Sequence, residues 1–147
     1  MRVVWCVPTV ILLLFGLTGC GAKKTTGPQA AEITGSWIAT RVEYVSKTTS
    51  DDVDLIAAGG SGELVLNANN TYEFTLAPSG GISNTTTGRW TLSGDLITMT
   101  ESGMAFSVVF DITLSGSTLR MTGGDAEYDF NHDGTPEPAN LNLAFRR

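Results

Sequence analysis

An all-β domain, a small antiparallel up-and-down barrel of about eight or nine strands, is the fold class this sequence predicts. Three observations predict it. Apolar residues recur at every second position over most of the chain after Ile33. Examples are Tyr72, Phe74 and Leu76; Met104, Phe106, Val108, Phe110, Ile112 and Leu114; and Leu141, Leu143 and Phe145. Such alternation marks strands with one buried face. Short breakers separate the runs, among them Asn69-Asn70, Ser93-Gly94-Asp95, Ser115-Gly116-Ser117 and Gly123-Gly124-Asp125, and turns of this length join antiparallel neighbours. A meander of so many strands leaves two open edges, which closure into a barrel removes.

The alternation places strands at 35–45, 62–67, 71–77, 86–92, 96–101, 104–114, 118–122, 126–130 and 139–146. Residues 46–60 break the rhythm: Asp51, Asp52 and Asp54 precede Leu55-Ile56-Ala57-Ala58 and a glycine pair. This stretch reads as a long loop or one short helix. Tyr72, Phe74, Phe106, Phe110 and Met121 are expected to point inward, so the barrel interior is either a cavity or simply full. Glu63, Glu73 and Glu101 read as solvated positions on the polar face of their strands.

The N-terminal segment sets the address. Met1 and Arg2 precede an apolar run from Val3 to Phe15 that is interrupted by Pro8 and Thr9, then come Leu17-Thr18-Gly19-Cys20. A cationic start, a short apolar stretch and small residues at a cut site make a secretory signal. The run is too short for a comfortable spanning helix, which needs roughly 20 apolar residues. Leu17-Thr18-Gly19-Cys20 resembles the lipobox of bacterial lipoproteins. That resemblance implies a diacylglyceryl group on the Cys20 sulfur and cleavage before it. Three segments follow: 1–19 as signal peptide, 20–31 as lipidated cysteine and flexible tether, and 32–147 as the folded domain. Lys23 and Lys24 sit in that tether. An acylated Cys20 anchors the protein stably to a membrane. Gly21 in place of an aspartate resembles the usual outer-membrane sorting context, so the expected location is the cell envelope, at the outer rather than the inner membrane.

Composition narrows the chemistry. The chain has only Cys6 and Cys20, and its formal net charge is −6. Cys6 leaves with the signal and lipid consumes Cys20, so the mature domain has no thiol for disulfides, zinc or nucleophilic catalysis. The acidic balance without a Lys/Arg cluster argues against nucleic acid. Without a cysteine in the mature domain, and with one histidine and no G-x-S-x-G pattern, neither a thiol protease nor an α/β-hydrolase can be assembled. The expected function is non-enzymatic.

Gly35-Ser36-Trp37 opens the first strand and Gly88-Arg89-Trp90 repeats the pattern. A G-x-W at the start of a small antiparallel meander behind a lipobox resembles the bacterial lipocalin-like domains. The resemblance implies a lipocalin-like barrel holding a small apolar ligand. It also implies that Trp37 closes one barrel end under a last-strand arginine, for which Arg147 fits the inward register of Leu143 and Phe145 better than Arg146 does. The chain is shorter than full lipocalins and lacks their disulfides, which argues against a large ligand cup. The alternative is a structural, inhibitor or protein-interaction module with a filled barrel, presenting its exterior or an exposed apolar patch around Leu55 and Ile56.

One further motif carries chemistry. In Asp129-Phe130-Asn131-His132-Asp133-Gly134-Thr135-Pro136-Glu137, oxygen-bearing side chains at positions one, three, five and nine with glycine at six follow calcium-loop spacing. Asp129, Asn131, Asp133, Glu137 and the Thr135 carbonyl are the candidate ligands for a structural Ca²⁺. Asn140 stands where an EF-hand has its bidentate glutamate, and Pro136 and Pro138 oppose an exiting helix. The pattern therefore resembles the strand-linking loops of integrin-type calcium sites. A polar hairpin turn is the competing reading of the same residues. His132 occupies a non-ligand position and reads as a solvated turn residue.

Overall fold

The structure, a computed structural model, describes residues 27–147. The signal segment, Cys20, Lys23 and Lys24 lie outside the described residues. One helical turn, α1 (Ala30–Ile33), precedes nine strands: β1 (Gly35–Ser46), β2 (Asp52–Asp54), β3 (Ser61–Leu66), β4 (Thr71–Ala77), β5 (Asn84–Ser93), β6 (Leu96–Glu101), β7 (Ser107–Ser115), β8 (Thr118–Tyr128) and β9 (Glu137–Arg146). Residues 27–31 do not all run free as a tether, since Ala30 and Ala31 belong to α1 and Gly27 packs against the Gly94 backbone.

Every pairing is antiparallel between neighbours, and β9 pairs back on β1 from Ile38↔Arg146 to Ser46↔Ala139. Strands β1 and β3 to β9 thus form a closed eight-strand barrel, and β2 is an extra strand on β1 at Glu43–Val45. Closure leaves the barrel strands without free edges. The buried faces of the strands meet inside: Trp37, Leu64, Leu66, Trp90, Ile97, Ile112, Leu119, Met121 and Phe145 are at most 1% exposed. At roughly 1.5–3 kcal/mol for each fully buried large apolar side chain, this interior is the main source of stability in a domain without disulfides.

Four local readings are corrected. Gly123-Gly124 is not a turn between two strands but an irregularity inside the continuous β8, between Met121 and Gly124. Gly123 takes φ +79° and its N–H donates to Asn142 Oδ1 at 3.1 Å, so the extra residue is absorbed as a bulge. Strand β7 begins at Ser107 instead of residue 104. A turn through Gly103 (φ +84°), closed by the Met104 N–H on the Glu101 carbonyl, leaves Met104 and Phe106 48% and 62% exposed. Phe106 therefore does not point into the core.

Residues 46–60 contain β2 and a turn rather than a helix or an unstructured loop. The Asp54 carboxylate accepts from the N–H groups of Val42 (3.2 Å), Ile56 (3.0 Å) and Ala57 (3.3 Å). That cap folds Leu55 and Ile56 back against the core, so no exposed apolar patch forms around them. Finally, Glu101 is not on the solvated face. It follows Ile97 and Met99 on the inward register of β6 and is partly buried.

Candidate functional site

The two barrel ends are built differently. At the end where β1 starts and β9 finishes, α1 lies across the opening and Ile33 is fully buried. A helix this short leaves its last carbonyls without intrahelical donors, and the barrel supplies them. Trp37 Nε1–H donates to the Ile33 carbonyl at 2.7 Å, Arg147 Nη2 to the Glu32 carbonyl at 3.0 Å, and Arg147 Nη1 to the Thr34 carbonyl at 3.3 Å. The Arg147 guanidinium carbon lies 4.4 Å from the Trp37 ring centroid, a cation–π distance. Trp90 has a comparable role at the β3–β4 turn. Its indole N–H donates to the Thr71 carbonyl at 3.1 Å, and its backbone exchanges hydrogen bonds with Asn70.

Toward the other end, the interior holds an apolar cavity of about 150 Å³. Leu64, Phe74, Met99, Phe110, Leu141 and Leu143 form its floor and walls, with Val108 and the exposed Phe106 nearer the β6–β7 turn. Three polar side chains reach it: Tyr72, Thr86 and Glu101. Tyr72, Gly88 and Glu101 stand in register on β4, β5 and β6. Gly88 is what lets them share the space. A Cβ there would lie 2.7 Å from Tyr72 Cε1 and closer still to the Thr100 carbonyl oxygen. Burial raises the Tyr72 phenol pKa above its ordinary value, and the charge of Glu101 adds to that rise. The phenol therefore stays neutral and available as a hydrogen-bond donor.

An aromatic group stands at the same end. Tyr44 and Tyr128 stack with ring centroids 4.8 Å apart, and Phe130 meets Tyr128 edge-on at 5.0 Å. Beyond it lies the 129–137 loop. Asp129 Oδ1 and Oδ2 accept from the N–H groups of Asp133 (3.1 Å) and Gly134 (2.9 Å), Asn131 Oδ1 from Asp133 (2.8 Å), and Asp133 Oδ1 from Thr135 (2.8 Å). Glu137 accepts from the Phe130 N–H at 2.9 Å and from Asn131 Nδ2 at 2.7 Å. His132 (φ +60°) and Gly134 (φ +88°) take the left-handed conformations that make the turn tight. The Thr135 N–H is the largest cause holding the Asp133 carboxyl below its ordinary pKa. The oxygens thus face loop N–H groups, and among the described residues no three His, Cys, Asp or Glu side chains are gathered as metal ligands.

A closed antiparallel barrel plugged at one end, with an apolar cavity toward the other, defines a calyx-like β-barrel. The chain belongs to the lipocalin-like domain family, whose model matches residues 33–121. The matched part ends within β8, so the closing pairs of β9 with β1 lie beyond it. Among solved structures, the chain is similar to one titled "Structure of EF1p2_mFAP2b bound to DFHBI", at 15% identity and a TM-score of 0.49, over 80% of this chain and 96% of that one. No curated protein sequence matches the chain.

The charge of Glu101 points to an outward side chain, whereas its place on β6 does not. Counting by twos from Ile97 and Met99 puts it inside.

Proposed function

We propose that this protein is a non-enzymatic binding barrel that takes a small, largely apolar molecule into the cavity bounded by Phe74, Met99, Phe110 and Leu143. The cavity carries the reading, since a filled barrel would leave no such space. Its size sets the ligand class. Drug-sized sites run to about 300–1,000 Å³, whereas a dry apolar cavity of about 150 Å³ admits a benzene-sized guest. A single ring or a short alkyl chain fits, and a long acyl chain does not. The test is methyl-labelled methionine NMR on the full chain titrated with toluene. The Met99 methyl resonance should shift while that of Met121, buried outside the cavity lining, stays in place. A Met99 signal unmoved by saturating toluene would refute the reading.

We further propose that the barrel is held to a membrane of the cell envelope by lipid on Cys20, with the outer membrane favoured by Gly21. The motif Leu17-Thr18-Gly19-Cys20 supports this. Gly27 packs beside Gly94 at the plugged end, so an anchor at Cys20 would hold the barrel by that end and leave the cavity mouth on the opposite side. Seven residues of extended chain span at most about 25 Å. Mass spectrometry of the membrane-purified protein tests it through the diacylglyceryl mass on Cys20, which Cys20→Ala should abolish together with membrane association.

The 129–137 loop is proposed as a weak structural calcium site formed by Asp129, Asn131, Asp133, Glu137 and the Thr135 carbonyl. Each oxygen that accepts one loop N–H keeps a second lone pair, and the two left-handed residues already hold the turn.

A further inference from the structure

Glu101 brings a charge to the wall of an otherwise apolar cavity, and no Lys or Arg among the described residues pairs with it. No donor among those residues bonds its carboxylate either, although the neighbouring Ser102 and Met104 N–H groups bond the carbonyls of Thr87 and Glu101. The Glu101 side chain is partly buried at the cavity wall and its carboxylate caps no turn or helix, so its oxygens stand available to a ligand's donor. Aromatic rings share the cavity with it. Tyr72, Phe74, Phe106 and Phe110 all line the same cavity, and their ring faces carry negative potential. Aromatic rings and one carboxylate in the same cavity supply the two kinds of group that hold an ammonium.

We propose that Glu101 makes the cavity selective for a small primary amine, with the ring or short alkyl chain among Met99, Phe110 and Leu143 and the ammonium at Glu101 near the mouth. This rests on the reading of the cavity as a ligand site. An anionic ligand of the same shape meets the Glu101 charge at close range, where like charges repel. A neutral alcohol of that shape keeps the apolar contacts and can donate its O–H to the carboxylate, but it lacks the attraction between opposite charges. The order of affinity is therefore amine, then alcohol, then carboxylate.

The test titrates the full chain with benzylamine, benzyl alcohol and benzoate at physiological salt, following the Met99 methyl resonance. Three proteins are compared: wild type, Glu101→Gln, and Glu73→Gln, which removes the same charge from an exposed position. Glu101→Gln should weaken benzylamine about tenfold, the size of one ionic hydrogen bond, and weaken benzyl alcohol much less, because Gln Oε1 still accepts its O–H; retained alcohol binding also reports an intact cavity. Glu73→Gln should leave benzylamine unchanged. The proposal is overturned if Glu101→Gln leaves benzylamine binding as it was, if Glu73→Gln weakens it equally, or if benzoate binds as well as the amine. Should benzyl alcohol and toluene also leave Met99 unmoved, the cavity reading itself falls. That outcome is distinct from a loss of amine preference with alcohol binding retained.

Discussion

The guanidinium of Arg147 lies over the Trp37 ring at 4.4 Å and at the same time bonds the carbonyls of Glu32 and Thr34. One side chain at the end of the last strand thus joins the first strand to the helical plug, and it does so with two nitrogens and a π face at once. Arg147→Ala should lower unfolding free energy by about 1–2 kcal/mol, the sum of an exposed cation–π contact and two hydrogen bonds discounted for solvent. Arg147→Lys should recover only part, because a point-like ammonium cannot bridge both carbonyls while stacking. Urea denaturation of the full chain measures both, and an unchanged midpoint for Arg147→Ala would contradict this account.

Two glycines are required by contact rather than by backbone angle. A Cβ at Gly88 would press on the Thr100 carbonyl and the Tyr72 ring, and one at Gly124 would lie 2.6 Å from Phe110 Cζ. Gly88→Ala and Gly124→Ala are each expected to cost about 2–3 kcal/mol through overpacking. Gly80→Ala, in a loop with nothing within 4 Å and φ +68°, should cost about 1 kcal/mol, from the left-handed conformation alone. Thermal denaturation ranks the three, and a Gly80 variant as unstable as the other two would remove the distinction.

Much of the barrel is legible in the sequence because half-buried strands write their register as alternation. Strands β4 and β6 coincide with the runs at 71–77 and 96–101, and β9 extends the final run. The misreadings share one physical cause, that residue type stands in poorly for direction. Gly123-Gly124 has turn composition, but Asn142 and Phe110 hold it inside a strand as a bulge. Phe106 has core composition, yet the turn at Gly103 ends the alternation before it. Glu101 has surface composition and sits on an inward register. Alternation leaves open whether the interior is a cavity or full, since that depends on how Tyr72 and Phe74 of β4 and Phe110 of β7 share a volume to which Gly88 contributes no side chain.

Val108 lines the cavity while remaining outside the fully buried core, which makes it the place to fill. Val108→Phe should occupy most of the space that a benzene-sized guest would take and abolish the toluene-induced shift of Met99. Stability should change by no more than about 1 kcal/mol, because the added ring enters existing space rather than displacing neighbours. Retention of toluene binding by a folded Val108→Phe protein would place the guest elsewhere.

If the 129–137 loop takes calcium, binding to the folded state alone raises stability by mass action. At a calcium concentration ten times Kd the gain is about 1.4 kcal/mol, or about 5–6 °C in melting temperature for a domain of this size. Extracellular modules of this kind bind at about 10⁻⁴–10⁻³ M, so millimolar calcium is the concentration to use. Asp129→Asn should remove the shift, and magnesium should not reproduce it. No calorimetric heat and no change in melting temperature would leave the loop as a hydrogen-bonded polar turn.

Alkaline pH should expose the aromatic group at the mouth. Burial is the main cause raising the Tyr44 pKa above its ordinary 10.0, and the neighbouring Tyr128 adds to it. For a group whose folded-state pKa is raised, the stability it contributes is fully present below the unfolded pKa. It is lost as pH rises through the folded value. The fold should therefore hold its stability up to about pH 10 and lose it above, as the unfolded chain ionises a phenol that the stacked pair keeps protonated. Tyr44→Phe keeps the ring stack and removes the proton, so its stability should fall less steeply across the same window. Urea midpoints between pH 8 and 11 measure the slope, with phenolate absorbance locating the titration. Equal slopes for the wild type and Tyr44→Phe would show that Tyr44 titrates alike in the folded and unfolded chains.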